Sequence, residues 1–386
     1  GATYAISTSY AIFLLAFSVQ LAVSQSRNHF IRFACSQLVT ERLDPLGTPG
    51  IVSPHVHQIV GGTVVGSSFD IQMSADSPMQ STCTTCRWKE DASNYWTSVL
   101  YFKHQNGSYL RVPQVPPNYT GSPNGGIGLF YIRPPEGNQK VTAFPKGFRM
   151  IVGDPSLRNK TFVDPNSSLG RALTFRCWDE TYNGDPNLPA PGTGSDTIEL
   201  PNKLCAGGIR SNIYFPSCWN GKDLDPPDHS SHMAYPNGEL DSGGHFWFSG
   251  ECPASHPIRV PRILMEVSWD TRQFNNMWPS KTNQPFVFSQ GDPTGYGQHA
   301  DYIFGWKGDS LQRAMDNCWS YPNCKELTDQ SSEVQNSCTL KSRVDEVVEG
   351  KHINALPGCN PIQAGPSPAT MGPCPASTRT STLLTN

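Results

Sequence analysis

Two histidines, His55 and His57, sit one residue apart in the stretch SPHVHQIVGG, residues 53–62. On a β-strand, residues i and i+2 project from one face. The two imidazoles would then stand side by side, as two metal ligands or two acid–base groups would. A second pair, His229 and His232, lies in CWNGKDLDPPDHSSHMAYP, residues 218–236. Its spacing shares a face on a helix and says little in a loop. The two pairs and a carboxylate could together hold Zn²⁺ or Cu²⁺, with His55, His57 and His232 as the candidate ligands. Neither spacing is a metal signature of the H-E-x-x-H kind. The plainer reading gives these rings hydrogen bonds to backbone carbonyls, so no cofactor is required.

The alternative chemistry is acid–base. Glycoside hydrolysis uses two carboxylates roughly 5 to 9.5 Å apart across the scissile bond. Four carboxylates stand near histidine or aromatic residues: Asp91 in EDASNYW, Asp228 beside His229, Glu266 in CPASHPIRVPRILMEVSWD, and Asp301 in GDPTGYGQHADYIFGW. His229, His256 and His299 are their partners, because a His–Asp contact fixes a tautomer and tunes its pKa. Trp96, Tyr101, Trp219, Tyr235 and Trp306 could stack on sugar rings, and burial in the core is the competing reading for each. Asp223 and Asp225, beside Pro226 and Pro227, read as turn residues. There is no Gly-x-Ser-x-Gly elbow and no phosphate-binding loop, and GGTVVG at 61–66 lacks the acidic partner of a dinucleotide site.

The elements that must position these residues read as strands. WTSVLYFKH, GIGLFYIRP, GFRMIVGDP, IRVPRILMEVSWD and QPFVFSQ are rich in β-branched and aromatic residues and bounded by turn formers. Asn106-Gly107 between two such runs predicts a hairpin. Long amphipathic helices are absent from this stretch. The expected fold is all-β, a β-sandwich or jelly-roll-like architecture with long irregular loops at 179–203 and 216–246. Residues 309–339 predict a short helix stapled by cysteines.

The chain has 386 residues, 16% charged, with a net charge of −3, and 34 each of Gly and Pro. That balance gives no electrostatic case for nucleic acid. The 9 Trp, 13 Tyr and 18 Phe suffice for a core. The apolar run AIFLLAFSVQLAV, residues 11–23, is shorter than the roughly 20 residues of a membrane span. It reads as the centre of a signal peptide over 1–25, an incomplete one, since no Met or basic residue precedes it. Twelve cysteines, an even number, fit an oxidising compartment. CTTC at 83–86 has no second C-x-x-C for a zinc site, and structural disulfide use is the better reading. Four sequons, at Asn106, Asn118, Asn159 and Asn166, agree with export and suggest one sugar-bearing side. The organisation expected is a β-rich core over 26–310, a cysteine-rich extension over 311–362 and a Pro/Ser/Thr-rich tail over 363–386.

Six ordered blocks, from ERLDP…SPHVHQIVGG through CTTC…D-x-SNYW, FPKGFRMIVGDP, FPSCWNGKDLD…DHSSHMAYP and CPASHPIRVPRI to GDPTGYGQHADYIFGW, resemble the fungal secreted family called domain of unknown function 1996. The resemblance runs from about residue 33 to 307, and ALPGCN at 355–360 is similar too. It implies an extracellular fungal protein and supplies no reaction. His55, His57, Asp91, His229, His232, His256, His299 and Asp301 fall in the matching blocks. Three functions stay open: cleavage of a cell-wall polysaccharide by a hydrolase or lyase, which is favoured, a His-ligated metal-dependent oxidase, and a non-catalytic glycan-binding protein. Each is expected of a secreted monomer without stable membrane insertion. His57, Asp91, His229, His232, His256, His299 and Asp301 come from distant segments and are expected to lie within one cleft.

Overall fold

The computed structural model describes residues 30–70, 73–117, 125–133, 140–159, 168–179, 191–192, 194–237, 250–318, 323–370 and 383–384. The signal segment, Asn118 and Asn166 lie outside them.

The fold is all-β with long irregular loops. Its strands are β1 (Phe30–Glu41), β2 (His57–Gly61), β3 (Asn94–Ser98), β4 (Leu100–Lys103), β5 (Tyr109–Arg111), β6 (Gly126–Ile132), β7 (Arg149–Gly153) and β8 (Leu173–Trp178). They continue with β9 (Gly208–Tyr214), β10 (Cys218–Trp219), β11 (Met233–Ala234), β12 (Ile258–Arg259), β13 (Arg262–Trp269), β14 (Phe286–Phe288) and β15 (His299–Ile303). Nine of them form one sheet in the order β7-β15-β3-β2-β1-β6-β13-β9-β8, every pair antiparallel. The edge strands β7 and β8 both line one cleft, so the sheet curls until its edges nearly meet. The five segments read as strands are strands. The Asn106-Gly107 turn joins β4 to β5, with Gly107 at φ 87° and the Asn106 side chain accepting from Ser108 N.

Alternation sends successive side chains to opposite faces, and both faces are covered. Inside the curl, Tyr95, Tyr131 and Tyr302 pack with Phe33, Ile127, Leu129, Ile213 and Met265. Outside β1, β2, β3 and β15, Ile59, Trp96 and Ile303 pack under Leu43, Leu46, Phe69 and Val344. Because both faces are covered, β3 is buried along its whole length, its polar residues included.

The chain after residue 310 packs on both clusters, with Leu311, Ala314 and Met315 in the inner one and Cys338 and Val344 in the outer one. After the short helix α1 (Ser168–Ala172), which leads into β8, helix α2 (Ser310–Asn317) buries Leu311, Ala314 and Met315, and Cys318–Cys324 staples its end. Helix α3 (Ser332–Ser337) leads to Cys338, which is bonded to Cys83. Arg42 pairs with Glu346, its Nε 2.6 Å from the carboxylate, and Tyr101 donates to Val348 O at 2.7 Å. The two cysteines of CTTC therefore serve two bridges, Cys35–Cys86 and Cys83–Cys338, rather than one. Cys177–Cys205 and Cys218–Cys252 complete the described pairs, Cys359 is also disulfide-bonded, and no described cysteine is free.

Candidate functional site

Three adjacent strands build the histidine cluster. Antiparallel register puts Ser98 of β3 opposite His57 of β2. On the other side, one step beyond the Ala300–Thr97 pair, it puts Ser98 beside His299 of β15. His57, Ser98 and His299 thus form a row on the outer face, with a small residue between the two imidazoles. His55, just before β2, folds its ring into the gap. The His55 and His57 rings lie 4.3 Å apart, and His299 lies 5.2 Å and 5.8 Å from them. His55 Nε2 is 3.2 Å from His299 Nε2, and Ser98 Oγ is 3.3 Å from the same atom. Exposure is 7% for His55, 0% for His57 and 4% for His299.

The backbone sets two tautomers. His57 Nδ1 donates to Leu43 O at 2.9 Å, and His299 Nδ1 donates to Gly297 O at 2.8 Å. A neutral imidazole has one N–H, so both rings turn an Nε2 lone pair inward. Gly297 is itself held by Asp292, whose carboxylate accepts from Gly297 N at 2.8 Å and from Thr294 N at 2.8 Å. Asp292 is therefore a turn-shaping residue that orients His299 at one remove. Gly153 pairs with His299 at φ 82°, and a Cβ there would come 2.2 Å from Gln298 O. Burial disfavours charge on all three rings. It drives His55 well below the usual imidazole range, takes His57 to about 4 against the opposing pull of Asp44, and lowers His299.

Asp301 lies on the same face one row along, beside Trp96 and Ile151. Burial, and then the Asp44 carboxylate, raise its pKa well above the usual range. The single-cleft expectation is overturned for the others. Asp91 lies inside the curl, fully buried. Tyr95 donates to it at 2.8 Å, the Tyr95 and Tyr131 hydroxyls are 2.6 Å apart, and Trp306 Nε1 donates to Tyr131 at 3.0 Å. Burial raises Asp91 to about 6. Trp96, Tyr101 and Trp306 present no accessible ring face, so they are core residues and not stacking platforms. Glu266 faces outward on β13 and pairs with Arg210 at 3.4 Å. The loop group packs on the edge strand β7. His232 is buried, its Nε2 bonds Arg149 O at 2.7 Å, and it stands apart from the His55, His57 and His299 cluster. His229, at φ 55°, contacts Asp225, while His256 Nε2 bonds Ser231 O at 2.8 Å. Asp228 is exposed and accepts from Ser230 N and Ser231 N, bonds that lower its pKa. Trp219 is half-buried, its indole donating to Asp223 O at 2.7 Å.

A cleft of about 350 Å³ opens where the two edges of the sheet approach. Asp154, Leu157, Ser230, Met233, Tyr235 and Tyr296 are among its lining residues. Of the five aromatic candidates, Tyr235 lines it. Tyr296 and Asp154 were missed from sequence, where nothing in GDPTGYGQ or VGDP distinguishes them from turn residues. Glu199 Oε2 is 3.4 Å from Tyr296 Oη, and burial with Glu199 raises that phenol to about 12. Gly153 and Asp154 carry the cleft wall while Gly153 pairs with His299, so cleft and cluster share one strand boundary. Asn106 is exposed and Asn159 half-buried.

No curated protein and no solved structure matches the chain. A family described as Domain of unknown function (DUF1996) matches residues 44–306, which span both the histidine cluster and the cleft. The chain belongs to that family.

Proposed function

We propose that the protein is a secreted, glycan-active enzyme that cleaves a polysaccharide of the cell wall by acid–base chemistry in the cleft between β7 and β8. The observation that carries this reading is the cleft itself. It is apolar over most of its lining and offers two half-buried tyrosines, Tyr235 and Tyr296, beside the exposed carboxylate of Asp154. Sugar rings bind such surfaces through their apolar faces and reserve their hydroxyls for a few polar groups. Asp154 is the candidate base, and Glu199 with the protonated Tyr296 the candidate acid side. In hydrolysis the base takes a proton from water as its oxygen bonds the anomeric carbon. The acid protonates the departing glycosidic oxygen, and the C–O bond breaks. The disulfides support an oxidising compartment, and no described helix is long and apolar enough to cross a membrane.

A second reading, the metal-dependent oxidase, is favoured by the inward Nε2 atoms of His57 and His299. Product analysis on a panel of fungal and plant wall glycans separates them. Hydrolysis releases reducing ends without added oxidant. Oxidation requires O₂ or peroxide and leaves lactone or aldonic ends. Tight binding with no product from either assay makes the protein a glycan-binding one.

A further inference from the structure

We propose that His55, His57 and His299 bind one divalent transition-metal ion of the Zn²⁺ class through their Nε2 atoms. This goes beyond the glycan reading and does not depend on it, because the ion can be measured without any substrate.

The geometry carries the proposal. One candidate ligand atom from each ring lies within 4.8 Å of the other two. Tetrahedral coordination at about 2.0–2.1 Å places neighbouring ligand nitrogens about 3.3 Å apart. The His55 and His299 Nε2 atoms are 3.2 Å apart. Ligating histidines nearly always donate their other N–H to a carbonyl or carboxylate, which fixes the ring and its tautomer. His57 and His299 do so, to Leu43 O and Gly297 O.

The hydrogen bonding without an ion is incomplete. One proton on His55 Nε2 can satisfy the His299 lone pair. His57 Nε2 is then left buried with no hydrogen-bond partner. A buried polar atom left unpaired is costly, and an ion bonded to all three nitrogens removes that cost. Three imidazoles are borderline ligands that suit Zn²⁺, Cu²⁺ or Ni²⁺ and not Ca²⁺ or Mg²⁺. Ser98, between His57 and His299, supplies the space, and its hydroxyl stands at the edge of the site.

The test is Zn²⁺ binding to the full-length protein after chelator treatment and dialysis, by calorimetry and by metal analysis. Expected is one equivalent per chain. His57→Gln and His299→Gln should each weaken it by more than about 10-fold, the smallest loss seen when even an outer partner of a metal ligand is removed. His352→Gln is the comparison, because His352 packs against His104, with ring centroids 4.5 Å apart, and forms a separate pair. That variant should keep the full stoichiometry. Should the two Gln variants fail to fold, the wild type decides through Co²⁺. A visible spectrum of low-coordinate, nitrogen-ligated cobalt that saturates at one equivalent, with a melting temperature that rises alongside it, supports the site. Uptake well below one equivalent overturns the proposal. So does binding that survives both cluster variants or is lost with His352.

Discussion

His57 and His299 hang from strands on either side of Ser98 and turn their rings toward each other, 5.8 Å between centroids. They are 242 residues apart in sequence, and the strand order β15-β3-β2 alone makes them neighbours. The smallness of Ser98 is what the arrangement requires. Ser98→Leu should drive a branched side chain between the two imidazoles and destabilise the fold by roughly 1–3 kcal/mol, the cost of overpacking a filled core. Ser98→Ala should change stability by much less. Chemical denaturation of both variants checks this. Equal midpoints for Leu and Ala would show that the row has room to spare.

Asp91 predicts a pH dependence of stability opposite in sign to that of an ion-paired carboxylate. Its folded pKa is raised by burial to about 6, against hydrogen bonds from Ser93 and Tyr95 that pull it down and with a small push from Glu90. The folded state therefore holds a proton that the unfolded state has released. The stability from this group is complete below the unfolded pKa of 3.8 and is lost as pH rises through about 6. Asp91→Asn should remove that component. Denaturant midpoints at pH 4 and pH 7 give the comparison: the variant's midpoint should gain on that of wild type as pH rises. A difference between the two proteins that stays constant with pH would contradict the assignment.

The Cys83–Cys338 bridge closes a sequence separation of 255 residues and ties the segment after α3 to the outer face beside Leu38 and Ile59. Replacing both cysteines by Ser should cost about 2–5 kcal/mol. It should also raise amide exchange around Leu340 and Val344, while the interior around Tyr95 and Tyr131 stays protected. Uniform loss of protection would mean that the outer layer and the interior unfold as one unit.

Sequence legibility followed locality. The β4–β5 hairpin was readable because Asn106-Gly107 encodes its own turn. Helix α2 and its staple were readable because Cys318 and Cys324 are close in sequence. The His55/His57 pair was readable from spacing, but its third member was not. His232 and His299 look alike as residues, and only strand order sends His299 to Ser98 and His232 to Arg149 O. Trp96, Tyr101 and Trp306 were misplaced for a related reason. In a sheet covered on both faces, an aromatic beside polar neighbours is still core, and no alternation betrays it. Tyr296 and Asp154 gave no signal, because the cleft exists only where β7 and β8 approach.

Release of soluble products from wall polysaccharides, compared between wild type, Asp154→Asn and Asp301→Asn, tests the cleft most directly. Asp154 lines the cleft, whereas Asp301 is buried on the outer face beside Trp96. Expected is release of reducing ends by wild type, a loss of about 10²- to 10⁴-fold in Asp154→Asn, and most of the rate retained in Asp301→Asn. No product from wild type on any glycan, or full activity in Asp154→Asn with loss in Asp301→Asn, would contradict catalysis in the cleft.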